Sequence, residues 1–175
     1  GAAQVAGRLV AEGVKPGDRV GLQAEKSVEG VMTYLGVLKA GAVFLPLNSA
    51  YTASEIDYFI KDAEPRAFVT DPAKFVAEAR AFKPLADAVP CASVDLACII
   101  YTSGTTGRSK GAMLSHGNLL SNARMLHAYW GWQASDVLIH ALPVFHVHGL
   151  FVASHGALLA GAKMLWFNRF DAQAV

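Results

Sequence analysis

The 175-residue sequence predicts a layered α/β/α fold with largely parallel strands and crossover helices. Three observations carry that expectation. Short apolar runs alternate with amphipathic stretches along almost the whole chain, as parallel strands joined by crossover helices require. Hydrophobic residues make up 53% of the chain, ample for a sizeable buried core. Val137 to Ala162 contains no Asp, Glu, Lys or Arg, the low charge of a helix–strand pair covered on both sides.

Taken in order, "GAAQVAGRLVAEG" has an amphipathic helix pattern that stops at Gly13, and "VKPGD" supplies a turn before the strand "RVGLQ". Ser27 caps a helix over "VEGVMTYLGVLKA" with Gly41 as its stop, and "AVFLPL" is the next strand. Thr52 and Glu55 have capping-box spacing ahead of "IDYFIKDA", and Pro65 closes that helix before the strand "RAFVT". Asp71 and Pro72 open a helix over "AKFVAEARAF"; the poorly patterned stretch from Lys83 to Asp95 reads as a linker. Then come a buried strand "LACIIY", a short strand "GAMLS", a helix "NLLSNARMLHAYW", a strand "DVLIHAL", a helix "GLFVASHGALLA" and a strand "KMLWF". The chain lacks a start methionine and ends at "FDAQAV", where another helix would begin, so a sequence cut at both ends is expected.

A net charge of +1, with no block of like charge, gives no footprint for nucleic acid or an anionic membrane, so any anion site must be local. Cys91 and Cys98 match neither a disulfide scaffold nor a zinc site and read as reduced, buried thiols. The N-terminus has no basic region followed by an apolar one and is not a secretory signal. His140, His146, His148 and His155, with Pro143, argue against a membrane span through the charge-free segment, since imidazoles are costly in lipid.

The chemistry concentrates in "YTSGTTGRSKG", Tyr101 to Gly111. Gly104, Gly107 and Gly111 leave backbone N–H groups uncovered; Thr102, Ser103, Thr105 and Thr106 add hydroxyl donors; Lys110 adds a compact positive charge. That composition suits a polyphosphate, and it also suits an ordinary surface turn. A Walker A loop would need glycine where Ser109 stands and Ser or Thr where Gly111 stands; a nucleophile elbow on Ser103 would need glycine at Tyr101 and Thr105.

The whole loop closely resembles the phosphate-binding signature of the adenylate-forming superfamily, in which proline usually stands where Ser109 is. The resemblance continues through "GAMLSHGNLLSNA" and "LIHALPVFHVHGLFVA", and upstream through "DRVGLQAEKSVEGVMTYLGVLKAGAVFLPLN" and "YTASEIDYFIKDAEP". Within the superfamily the chain looks most like the malonyl-CoA synthetases. It departs by a shortened stretch before "DLACII", and by ending before the family's adenine, ribose and Mg2+ motifs and its small C-terminal domain.

The resemblance implies that residues 1–175 are a partial N-terminal large domain of an acyl-CoA synthetase. It implies activation of a small carboxylic acid, malonate first, with ATP, Mg2+ and CoA as cofactor and co-substrates, in the cytoplasm and within fatty acid metabolism. Thr102, Ser103, Gly104, Thr105, Thr106 and Gly107 would cradle ATP, with Thr105, Thr106 and Lys110 stabilising charge on the departing pyrophosphate. His146 would lie beside the acid or acyl phosphate, with His148 as its partner, against the plainer reading of hydrogen-bonded pocket histidines. His116, His127, His140 and His155 are taken as structural. Two other readings stay open: a non-catalytic nucleotide-binding or interaction module, and a metal-dependent hydrolase using His146 and His148. The partners expected are small molecules, with neither nucleic acid nor a membrane span among them.

Overall fold

The structure, a computed structural model, describes residues 1–102 and 108–173. Helix α1 (Ala2–Ala11) precedes strand β1 (Arg19–Gln23), followed by α2 (Val28–Lys39), β2 (Val43–Leu47), α3 (Ala53–Ala63), β3 (Ala67–Val69) and α4 (Pro72–Ala79). Strands β4 (Leu96–Thr102) and β5 (Lys110–Ser115) form a hairpin. After them come α5 (His116–Trp130), β6 (Val137–His140), a π-helical stretch (His148–Ala153), α6 (Ser154–Ala160) and β7 (Lys163–Trp166).

Local chemistry accounts for most boundaries. The Ser27 hydroxyl accepts from the Gly30 N–H at 3.0 Å, starting α2, and Gly41 at φ +73° ends it in a conformation that suits glycine. At α3 the Thr52 hydroxyl accepts from the Glu55 N–H while the Thr52 N–H donates to the Glu55 carboxylate at 2.8 Å. The Thr52 N–H, and then the Thr52 hydroxyl, which donates to the same carboxylate at 2.7 Å, hold the Glu55 carboxyl below its usual range. Ser115 and Asn118 make a second box at α5, which the asparagine had hidden from the sequence pattern.

The strands form two sheets. The first has the order β3-β1-β2-β4-β5, parallel except for the antiparallel edge strand β5; the second is the parallel pair β6-β7. β2 is buried at every position, its side chains alternating between faces. Phe44 joins the larger core with Val5, Leu9, Tyr34, Leu150 and Phe151, while Leu45 and Leu47 pack on Phe59 and Tyr101 on the other face.

Two expectations need correction. The stretch from Lys83 to Asp95 is a strap held to the body rather than a linker. The Leu85 N–H donates to the Ala3 carbonyl at 2.8 Å, the Val89 N–H to the Lys39 carbonyl at 2.9 Å, and Lys39 Nζ to the Ala86 carbonyl at 2.8 Å. Its lack of periodicity follows from satisfying much of its backbone against α1 and α2. Cys91 lies on this strap and is exposed, whereas Cys98, in β4, is buried as expected. Among the described residues no helix is long and apolar enough to cross a membrane.

Candidate active site

The glycine- and hydroxyl-rich segment joins the last residue of β4 to the first of β5. Thr102 pairs with Lys110 across the hairpin, its hydroxyl 3.5 Å from the Lys110 carbonyl, and both side chains are exposed. Ser103, Gly104, Thr105, Thr106 and Gly107, expected to cradle ATP, lie outside the described residues. Since β4 runs parallel to β2 and β1, this connection sits at the carboxyl edge of the parallel strands, where open α/β sheets place their ligands.

Helix α3 braces both limbs of the connection. The Tyr101 hydroxyl donates to the Asp62 carboxylate at 2.5 Å, and its ring packs 4.3 Å from that of Phe59. The Tyr58 hydroxyl donates to the Ser109 carbonyl at 3.0 Å. Burial, and then the bond to Asp62, push the Tyr101 phenol well up, so it stays a neutral donor. Tyr58, Glu55, Arg108 and Ser109 line an open cavity of about 370 Å³ beside the outgoing limb.

The second candidate group follows β6. His146 and His148 are both exposed, their rings stacked with centroids 5.6 Å apart, and the His148 N–H donates to His146 Nδ1 at 3.3 Å. The Leu150 N–H closes the turn on the His146 carbonyl at 2.9 Å, and the chain then widens into the π-helix, a form frequent at functional sites. Gly149 is required by close approach: a Cβ there would overlap the Pro143 carbonyl oxygen.

The buried His140 ring holds this turn from beneath. Its Nε2 lies 2.9 Å from the Gly149 carbonyl and 3.1 Å from the Ser154 hydroxyl, which itself donates to Gly149 at 2.7 Å. Burial lowers the His140 pKa and favours the neutral ring, with the carbonyl assigning the proton to Nε2. His155 Nε2 lies 2.9 Å from the Tyr34 hydroxyl, and burial lowers its pKa to about 4.

Among the described residues no hydrogen bond joins Thr102 or Lys110 to His146 or His148. Lys26, just beyond β1, donates to the His140 carbonyl and so ties the end of β6, which leads into the histidine segment, to the carboxyl edge of the first sheet. A cavity of about 260 Å³ opens there, lined by Lys26, Ser49, Leu142, Pro143, Phe145 and Arg169. A larger apolar cavity of about 380 Å³, between α2, α5 and α6, contains none of the candidate residues. No group of three His, Cys, Asp or Glu side chains among the described residues could hold a metal ion, so a zinc centre on His146 and His148 finds no third ligand here.

Sequence reasoning missed Tyr58 and Lys26. Tyr58 carried a signal, since it and Asp62 stand four apart on one face of a helix and both reach the hairpin. Lys26 carried none, because its partners lie far along the chain.

The AMP-binding enzyme family matches residues 1–175. An oxalate–CoA ligase of Arabidopsis thaliana is 33% identical over 92% of this chain and 37% of its own length. A malonate–CoA ligase of the same plant is 30% identical over 91% of this chain and 31% of its own. Among solved structures, apo MatB from Rhodopseudomonas palustris superposes with a TM-score of 0.93 at 45% identity, covering 99% of this chain and 39% of that one; its ATP-bound form gives 0.91 at 47%. The chain thus spans less than two-fifths of the length of these relatives. With the family match over the whole chain and the shared fold in agreement, this chain belongs to the AMP-binding enzyme family.

Proposed function

We propose that residues 1–175 form part of the large N-terminal domain of an acyl-CoA synthetase that activates a small dicarboxylic acid, malonate first. In the first half-reaction a carboxylate oxygen attacks the α-phosphorus of ATP and the bond to pyrophosphate breaks. In the second the CoA sulfur attacks the acyl carbonyl, AMP leaves with the electrons of the broken C–O bond, and the thiol proton is released. The connection between Thr102 and Lys110 supplies donors, and Lys110 a cation, to the pyrophosphate oxygens as they gain charge. His146, with His148 stacked on it, faces the acid. ATP and CoA are the co-substrates. Mg2+ accompanies ATP; among the described residues no group of three His, Cys, Asp or Glu side chains is arranged to hold it. A cytoplasmic place in fatty acid metabolism belongs to the same reading.

The observation that carries this proposal is the Thr102–Lys110 pair at the carboxyl edge of β4, bracketing a sequence of small donors. The dicarboxylate preference draws on two relatives named for oxalate and malonate. A site built to pair a second carboxylate leaves a group unsatisfied when a monocarboxylate enters, which discriminates more strongly than one methylene does. Acid-dependent pyrophosphate exchange in the full protein tests it, with malonate expected to exceed oxalate and acetate in kcat/KM. Equal or better kcat/KM with acetate would move the assignment to a monocarboxylate.

A further inference from the structure

Lys26 is half-buried at the carboxyl end of β1, and its ammonium has an unusual set of partners. It donates to the His140 carbonyl at 2.5 Å and to the Phe167 carbonyl at 2.7 Å, and stands 4.4 Å from the centre of the Trp166 ring. Those carbonyls lie at the carboxyl ends of β6 and β7, so a side chain rooted in the first sheet ties together both strand ends of the second. No carboxylate lies within ion-pair distance of Lys26 among the described residues. Burial lowers its pKa to about 8, a cost that an apolar side chain of similar length would not carry.

What the lysine adds is a connection onward. The His140 carbonyl takes the Lys26 ammonium and the Phe167 N–H together, while the His140 ring grips the Gly149 carbonyl and the Ser154 hydroxyl. Gly149 in turn lies directly against the Pro143 carbonyl and follows His148 in the chain. We propose that Lys26 is a positioning residue, which through His140 sets the place of the His146–His148 turn relative to the first sheet and so the affinity for the acid. The link to the acid rests on the proposed function; the mechanical link does not.

Two measurements on the full chain separate them. Hydrogen exchange followed by mass spectrometry should show amides of residues 141–150 exchanging about tenfold faster in Lys26→Met, with α1 and α3 unchanged. Lys26→Arg, whose fork can still reach two carbonyls, should restore protection to within about threefold. In pyrophosphate exchange Lys26→Met should raise the acid KM about tenfold and leave the ATP KM within about twofold. Should Lys26→Met not fold, Lys26→Gln, which keeps an uncharged NH2 donor on a shorter side chain, is expected to show the same local change at smaller amplitude. Unchanged exchange over 141–150, or an increase spread evenly over the chain, would overturn the proposal, as would ATP and acid KM rising together. If the wild-type protein shows no acid-dependent exchange with any acid, the adenylation reading fails, and the amide data still judge Lys26.

Discussion

The two sheets differ in how their strands are covered. β2 is buried along its whole length, between the Tyr34 core on one face and the Phe59 core on the other. β6 and β7, also apolar, leave Val137, Ile139 and Leu165 exposed. Yet the second sheet leads into the histidine turn, Lys26 ties the ends of β6 and β7 to the first sheet, and Tyr34 of α2 bonds His155 of the neighbouring α6. The first sheet is therefore held by apolar burial, and the second by a few polar bonds. Disturbing the buried body of the first sheet should consequently cost stability, and disturbing the polar bonds or the exposed carboxyl edge should cost function or pH tolerance.

The largest contrast is expected from core truncation. Phe44→Ala should lower unfolding free energy by about 3–5 kcal/mol, because it empties a well-packed site. Ile139→Ala, at 46% exposed, should cost about 1 kcal/mol or less. Urea unfolding monitored by circular dichroism reads both, and equal losses would erase the contrast.

Acid should act next, on the seam between α2 and α6. The His155 pKa is depressed to about 4 in the folded protein, so between there and the ordinary value of 6.5 the unfolded chain binds the extra proton. Stability from this group is complete above pH 6.5 and is lost as pH falls towards 4, by about 3 kcal/mol. His140, lowered by burial, adds in the same direction. His155→Gln, which keeps a polar partner for Tyr34, should flatten the slope of stability against pH in that window; an unchanged slope would contradict this account of the seam.

At the carboxyl edge of the first sheet the effects should be functional. Lys110→Ala is expected to slow pyrophosphate exchange about 10²-fold with little change in unfolding midpoint, by analogy with removal of one charge-stabilising donor. Near-normal exchange would remove Lys110 from the chemistry. Tyr58→Phe, which deletes one neutral hydrogen bond to Ser109, should raise the ATP KM by about fivefold or less and leave the acid KM alone.

Much of the fold was legible because its signals are local. Ser27, Thr52 with Glu55, and Asp71 with Pro72 each mark a helix start through bonds that span three residues, and each was found where expected. The loop from Tyr101 to Gly111 stood out by composition, and the strands flanking it are where the apolar runs lay. The strap from Lys83 to Asp95 was misread because its partners, Ala3 and Lys39, are distant in the chain. Cys91 was misplaced for the same reason: an exposed strap and a buried strand carry the same residue type.

By itself, then, the sequence determined the alternation of strands and helices, the helix caps and the donor-rich loop, since propensity, capping and periodicity act within a few residues of one another. Only the tertiary structure decided that the strands divide into two sheets, because no periodicity encodes which strand edges meet. It alone also decided that Tyr58 braces Ser109 and that Lys26 reaches His140 and Phe167. Such bonds join groups that are neighbours only after the chain has closed loops of many residues, and a single sequence leaves no local trace of them.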